Sequence, residues 1–111
     1  MIESIFSADI VARTDNWVVI ADDQSKVVFP EGRDGKRLRV LIPKFALVFR
    51  HRQTGHVVVF STNKSVGRWH WHDSRDKKPV SRREVIREVA RLLYGNDTHQ
   101  AERLVSQHLG A

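Results

Sequence analysis

Through its first two-thirds this chain alternates short apolar runs with turn residues, and after residue 80 the period changes. Asn16-Trp17-Val18-Val19-Ile20 is a β-rich run closed by Asp22-Asp23, and Lys26-Val27-Val28-Phe29 is another that stops at Pro30. Glu31-Gly32-Arg33-Asp34-Gly35-Lys36 is a connection in which Asp34-Gly35 suits a tight hairpin turn, because Gly tolerates positive φ. Arg37-Leu38-Arg39-Val40-Leu41-Ile42 opens with base–apolar alternation and predicts a strand ending at Pro43. Phe45 to Arg52 and His56 to Ser61 flank Gln53-Thr54-Gly55, the pattern of a β-hairpin with a glycine in its turn. Asn63 to Gly67 is a further connection, and Arg68-Trp69-His70-Trp71-His72 predicts the next strand.

Helical spacing begins at Ser81-Arg82-Arg83-Glu84. This matches a capping box in which Ser81 accepts from the Glu84 N–H and Glu84 reaches back to the Ser81 N–H. Val85, Ile86, Val89, Leu92 and Leu93 form the stripe, and Gly95 stops it. Asn96 or Asp97 caps a second helix with Ala101, Leu104, Val105 and Leu109 on one face. Residues 1–13 read two ways: Ile2, Ile5, Phe6 and Ile10 fit a helical stripe, while Ala8 to Arg13 reads as a strand.

The expected fold is one α+β domain over residues 1–111. It has a strand-rich part (14–73), a basic loop (74–80) and helices over 81–94 and 97–109. Five or six antiparallel strands form a sheet, open or curled toward a small barrel. The expected core includes Trp17, Val19, Val28, Leu38, Val40, Leu47, Phe49, Val57, Val59, Val85, Val89, Leu92 and Leu104.

Composition narrows the function. The 111 residues include no Cys, which excludes a disulfide framework, a thiolate metal cage and a cysteine nucleophile. No run approaches the roughly 18 apolar residues of a membrane span. Glu3 stands where a secretory leader carries bases, so the expected location is cytoplasmic, with no membrane partner. Charge is segregated. Residues 1–32 hold two bases and six acids, residues 33–91 hold sixteen bases and five acids, and residues 92–111 hold one base and two acids. The formal net charge of +6 therefore resides in a central segment of +11. So concentrated a charge points to a partner of opposite sign, nucleic acid first and an acidic protein surface second.

The residues expected to carry such binding fall in three sets. Arg37 and Arg39 share one strand face and Arg50 and Arg52 another; if those strands pair, a basic stripe crosses the sheet. In the Arg68-Trp69-His70-Trp71-His72 run, the tryptophans face one way and Arg68, His70 and His72 the other. Exposed tryptophans would stack on bases, and buried ones would leave the Arg and His side chains to phosphate. Lys77, Lys78, Arg82 and Arg83 surround the Ser81 cap, where cations oppose the helix dipole and an anion relieves them.

His51, His56, His70 and His72 lie on neighbouring predicted strands but form no metal motif, so neither metal nor cofactor is expected. Metal-free ribonuclease chemistry through His56 or His70 is a third reading, which needs a Lys or Arg nearby for the phosphorane. No phosphate-binding glycine loop, Gly-x-Ser-x-Gly elbow or dinucleotide fingerprint is present. The leading expectation is therefore non-enzymatic nucleic-acid binding.

Overall fold

The change of period at Ser81 divides the folded chain into a sheet and a helical layer. In the computed structural model, which describes residues 10–110, seven strands precede two helices. They are β1 (Ile10–Arg13), β2 (Trp17–Asp23), β3 (Lys26–Val28), β4 (Val40–Ile42), β5 (Lys44–His51), β6 (Val57–Ser65) and β7 (Arg68–Asp73). Helices α1 (Arg82–Leu93) and α2 (Thr98–His108) follow. The fold is α+β, as the patterning predicts. Strands β1-β2-β5-β6-β7 form one antiparallel sheet in that order, while β3 and β4 pair only with each other. The sheet is open, with β1 and β7 as its edges, and does not close into a barrel. Of the ambiguous N-terminal segment, Ile10–Arg13 is strand; the helical stripe through Ile2, Ile5 and Phe6 lies outside the described residues.

Both helices dock on one face of the sheet. Val19, Leu47, Phe49, Val58, Phe60 and Trp71 point into the core, where they meet Val85, Val89, Ala101, Leu104, Val105 and Leu109. Phe60 packs edge-on against Phe49, with ring centroids 5.2 Å apart, and Trp17 packs edge-on against Phe49 at 6.0 Å. Such pairs add roughly 0.5–1.5 kcal/mol each beyond the area they bury. The helix caps match the pattern with one change. Ser81 Oγ accepts from the Glu84 N–H at 3.1 Å, but the Glu84 carboxylate accepts from the Ser81 hydroxyl rather than from its N–H. Asp97 caps α2, accepting from the N–H groups of His99 and Gln100.

Four expected core residues are corrected: Val57, Val59, Leu38 and Val40. Val57 and Val59 face away from the helices, and Val58 and Phe60 take the inward positions. The reason is cross-strand register: Phe49 pairs with Val58 and Leu47 with Phe60, and directly opposite residues share a face. The run Val57-Val58-Val59-Phe60 is apolar throughout, so it does not itself select a face. Leu38 and Val40 are exposed, and Val28 is half-buried, because β3 and β4 lie beyond the helical layer. Trp17 and Leu92 are half-buried at its margin.

The β6–β7 hairpin turns through Val66 and Gly67, both at positive φ (52° and 73°). A two-residue hairpin loop requires that conformation, and Asn-Gly is its usual solution. Val66 is β-branched, 96% exposed and left-handed, a combination that stores strain without burial to offset it. Val66→Asn should stabilise the protein by roughly 1 kcal/mol, measured as a raised urea midpoint. The register of β6 predicts a contrast in the same assay. Phe60→Ala should cost about 3–5 kcal/mol, whereas Val59→Thr, on the opposite face, should cost less than about 1 kcal/mol.

Candidate nucleic-acid interface

Strands β2 and β5 pair from Trp17↔His51 to Asp23↔Phe45, and β3 and β4 pair from Lys26↔Ile42 to Val28↔Val40. All these pairs are symmetric about Asp34, as are the Gln24–Lys44 and Leu38–Pro30 hydrogen bonds and the Glu31–Arg37 bridge. Residues 17–51 are therefore one hairpin in a single register. Its outer part, residues 24–44, is a two-stranded arm that projects from the end of the sheet. Ten residues of ladder from Gln24 to the turn make the arm about 33 Å long. The molecule accordingly measures 56 × 36 × 25 Å.

Isolated two-stranded ribbons are marginal in water, so the arm needs local support. At its tip Gly32 N–H donates to Lys36 O (2.7 Å), Gly35 N–H donates to Gly32 O (3.0 Å), and Asp34 Oδ1 accepts from Lys36 N–H (3.1 Å). Gly35 sits at φ +76°, and a Cβ on Gly32 would lie 3.2 Å from the Asp34 carboxylate and 3.3 Å from Lys36 O. At the base, Asp23 accepts from Ser25 N–H, Ser25 Oγ accepts from Lys44 N–H, and Pro43 O accepts from Lys64 N–H of β6.

The arm carries Lys26, Arg33, Lys36, Arg37, Arg39 and Lys44 against only Glu31 and Asp34. None of these cations forms an ion pair among the described residues. Of the acids nearest in sequence, Asp22 accepts from Gln24, Asp23 from Ser25 and Asp34 from a backbone N–H. The arm is also apolar. Of the eight large hydrophobic residues that are exposed among the described residues, six lie on it: Val27, Phe29, Leu38, Val40, Leu41 and Ile42.

The expected basic stripe across the sheet does not form. Arg37 and Arg39 belong to the arm, and β4 pairs with β3 rather than β5. Arg39 and Arg50 are eleven residues apart along nearly extended chain, about 36 Å. Arg50 lies at the far end of β5, and Arg52 there holds the β1–β2 connection through its guanidinium to Thr14 O (3.1 Å). Arg68 opens β7 at the end from which the arm leaves, opposite Ser65. Lys77, Lys78 and Arg83 are exposed on the loop and helix entry that follow β7 at the other end. The candidate cations therefore divide between the arm and the opposite end of the sheet.

Other candidates have structural work. Trp71 is 7% exposed and packs in the core, so it offers no platform to a base. Trp69 is half-buried, stacked on Phe45 at 6.3 Å and covered by Gly110, while Lys64 Nζ lies 5.8 Å from its ring centre. Arg82 lies over the Trp71 ring, donates to Ser106 Oγ (2.7 Å) and reaches Glu102 (3.8 Å), which ties α1 to α2. With Glu84 in the first turn, the helix entry already holds a negative charge near its N–H groups.

The histidines are dispersed. His51 packs edge-on against Trp17 on the helix face of β5, and its Nδ1 accepts from Gln53 and Thr54 N–H groups. His56 is exposed in the adjoining turn, while His70 pairs with Asn63 toward the arm end of β7. His70 and His72 share the face opposite the helices. Among the described residues, no three His, Asp or Glu side chains gather to hold a metal ion. No helix there is long and apolar enough to cross a membrane.

One feature that sequence reasoning missed is the Asp73–Arg75 pair. The residue pattern starts an exposed loop near Asp73, but that residue ends β7, where it is buried. Arg75 donates to it from Nε (3.0 Å) and Nη2 (2.8 Å), lies over the Phe60 ring and continues to Glu88, which also receives Arg91. The i, i+2 spacing of a strand-ending Asp and an Arg is the signal that could have found it. Burial opposes the charge on Asp73, but the Arg75 hydrogen bonds outweigh it and hold the carboxyl below its ordinary range. No family model, curated protein or solved structure matches this chain.

A carboxyl lowered in the folded state contributes stability above its unfolded pKa, and that contribution fades as pH falls through the lower folded value. The urea midpoint of Asp73→Asn should therefore lie well below wild type at neutral pH. The gap should narrow from about pH 4 downward, and an unchanging gap would show that the ion pair is not its source.

Proposed function

We propose that this protein binds nucleic acid without catalysing a reaction on it, chiefly through phosphate contacts from the arm and the adjoining end of the sheet. Arg37 and Arg39 are the leading contacts, joined by Lys26, Arg33, Lys36, Lys44 and Arg68. The observation carrying this reading is an arm with six cations and two acids on which no cation is paired among the described residues. Unpaired cations on a narrow projection suit a polyanion, whose condensed counterions are released on binding. Lys77, Lys78 and Arg83 would form a secondary contact at the other end.

One observation favours a second reading, docking on an acidic protein. The arm places exposed apolar side chains beside its cations, the composition of an interface hot spot with a charged rim. Pull-down with and without nuclease separates the two, because protein docking is indifferent to nuclease.

Binding of a labelled oligonucleotide should weaken steeply with salt. Arg37→Ala/Arg39→Ala should lower affinity and flatten the log–log salt slope by about 0.9 for each phosphate the variant no longer neutralises. Fluorescence anisotropy at several salt concentrations measures both, and absence of binding at low salt would refute the proposal.

A further inference from the structure

The arm exposes more apolar surface than charge attraction requires. A phosphate-binding ribbon needs only its cations, yet Leu38 is 52%, Ile42 40% and Val40 38% exposed. Contiguous apolar surface of this kind marks a contact site. Register sorts it by face. Val28↔Val40 and Lys26↔Ile42 alternate with Val27↔Leu41, and the Leu38–Pro30 pair continues the first series. One face therefore presents Val28, Pro30, Leu38, Val40 and Ile42, bracketed by Lys36 near the tip and Lys26 and Lys44 near the base.

By the same alternation this stripe is continuous with the sheet face opposite the helices. There Lys44 pairs with Asn63, Asn63 with His70 and Ser65 with Arg68. The arm's other face begins beside Asp23 and the Phe45–Trp69 stack that Gly110 covers, and it carries Glu31 together with Arg37, Arg39, Val27, Phe29 and Leu41. The first face is thus apolar along its centre, cationic at both ends and without a carboxylate between Lys36 and Lys44.

We infer that this stripe lies in the major groove of duplex DNA, with Leu38, Val40 and Ile42 against thymine methyl groups and Lys26, Lys36, Lys44 and Arg68 on the flanking phosphates, while Arg37 and Arg39, on the ribbon's other face, reach over its edges to the same backbones. The inference rests on the nucleic-acid reading above and specifies its ligand. The major groove is about 12 Å wide and admits a two-stranded ribbon, and the thymine C5 methyl is the apolar group displayed there. An arm about 33 Å long matches roughly one turn of duplex. The deep, narrow major groove of A-form RNA excludes it. Charge argues against a second copy of this chain as the occupant, since two arms with six cations and two acids each repel one another.

The test compares three duplexes with the full chain: an A·T-rich DNA, the same DNA with deoxyuridine for every thymine, and the RNA of that sequence. Deoxyuridine keeps every phosphate and hydrogen-bonding edge and removes only the methyl. Wild type should bind the thymine duplex more tightly than the uracil duplex by about fourfold for each methyl contacted, and RNA more weakly still. Leu38→Thr/Val40→Thr/Ile42→Thr should lose that preference while keeping its salt slope. Should the triple variant melt differently from wild type, Leu38→Thr alone should show part of the same loss.

Salt-dependent binding that is equal for thymine and uracil, or unchanged in the threonine variant, overturns the groove placement and leaves the phosphate reading standing. No binding to any duplex overturns both. Self-association in sedimentation, or capture by phosphatidylserine vesicles, that the threonine variant abolishes would assign the stripe to a second copy or to lipid and overturn the inference.

Discussion

A single backbone ladder symmetric about Asp34 is the constraint from which the remaining architecture follows. Its inner half supplies β2 and β5, the central strands of the sheet, and places Val19, Leu47 and Phe49 beneath the helices. Its outer half runs past the last core layer into solvent. Because side chains alternate strictly along a ladder, the inner register also determines which arm residues share a face. The core and the proposed contact surface are two stretches of one structure, and a slip of one residue would invert both.

The helical layer depends on a different interaction. Asp73, Arg75, Glu88 and Arg91 form a chain of charge-assisted hydrogen bonds from the end of β7 to the outer side of α1. Arg82 makes a second tie, from the Trp71 ring to α2. These contacts take three arginines out of a strongly basic inventory and give them structural roles. All 19 Lys and Arg residues lie among the described residues, and the sixteen that remain make no ion pair there. Electrostatic capacity for a partner is what is left after the fold has taken its share.

Much of this is legible in the residues. The period change at Ser81, the Gly55 hairpin and both helix caps are local signals, and each corresponds to an observed element. The Asp34-Gly35 turn is legible too. What cannot be read is that the strands on its two sides continue into β2 and β5, since pairing partners are set by tertiary register. Residue pattern alone therefore assigns Leu38 and Val40 to a core that lies elsewhere, and Arg37 and Arg39 to a stripe on the sheet. The inward direction of Trp71 is equally hidden, because alternation in Arg68-Trp69-His70-Trp71-His72 defines two faces without saying which one the helices cover.

The continuous ladder also bears on how the chain reaches this state. Trp17 and His51 are distant in sequence, and bringing them together directly would carry the entropy of closing a long loop. A hairpin centred on one turn offers a stepwise route, because each pair formed outward from Asp34-Gly35 brings the next within reach. The arm, though it contributes nothing to the buried core, thus shortens the search by which the two central strands find their alignment.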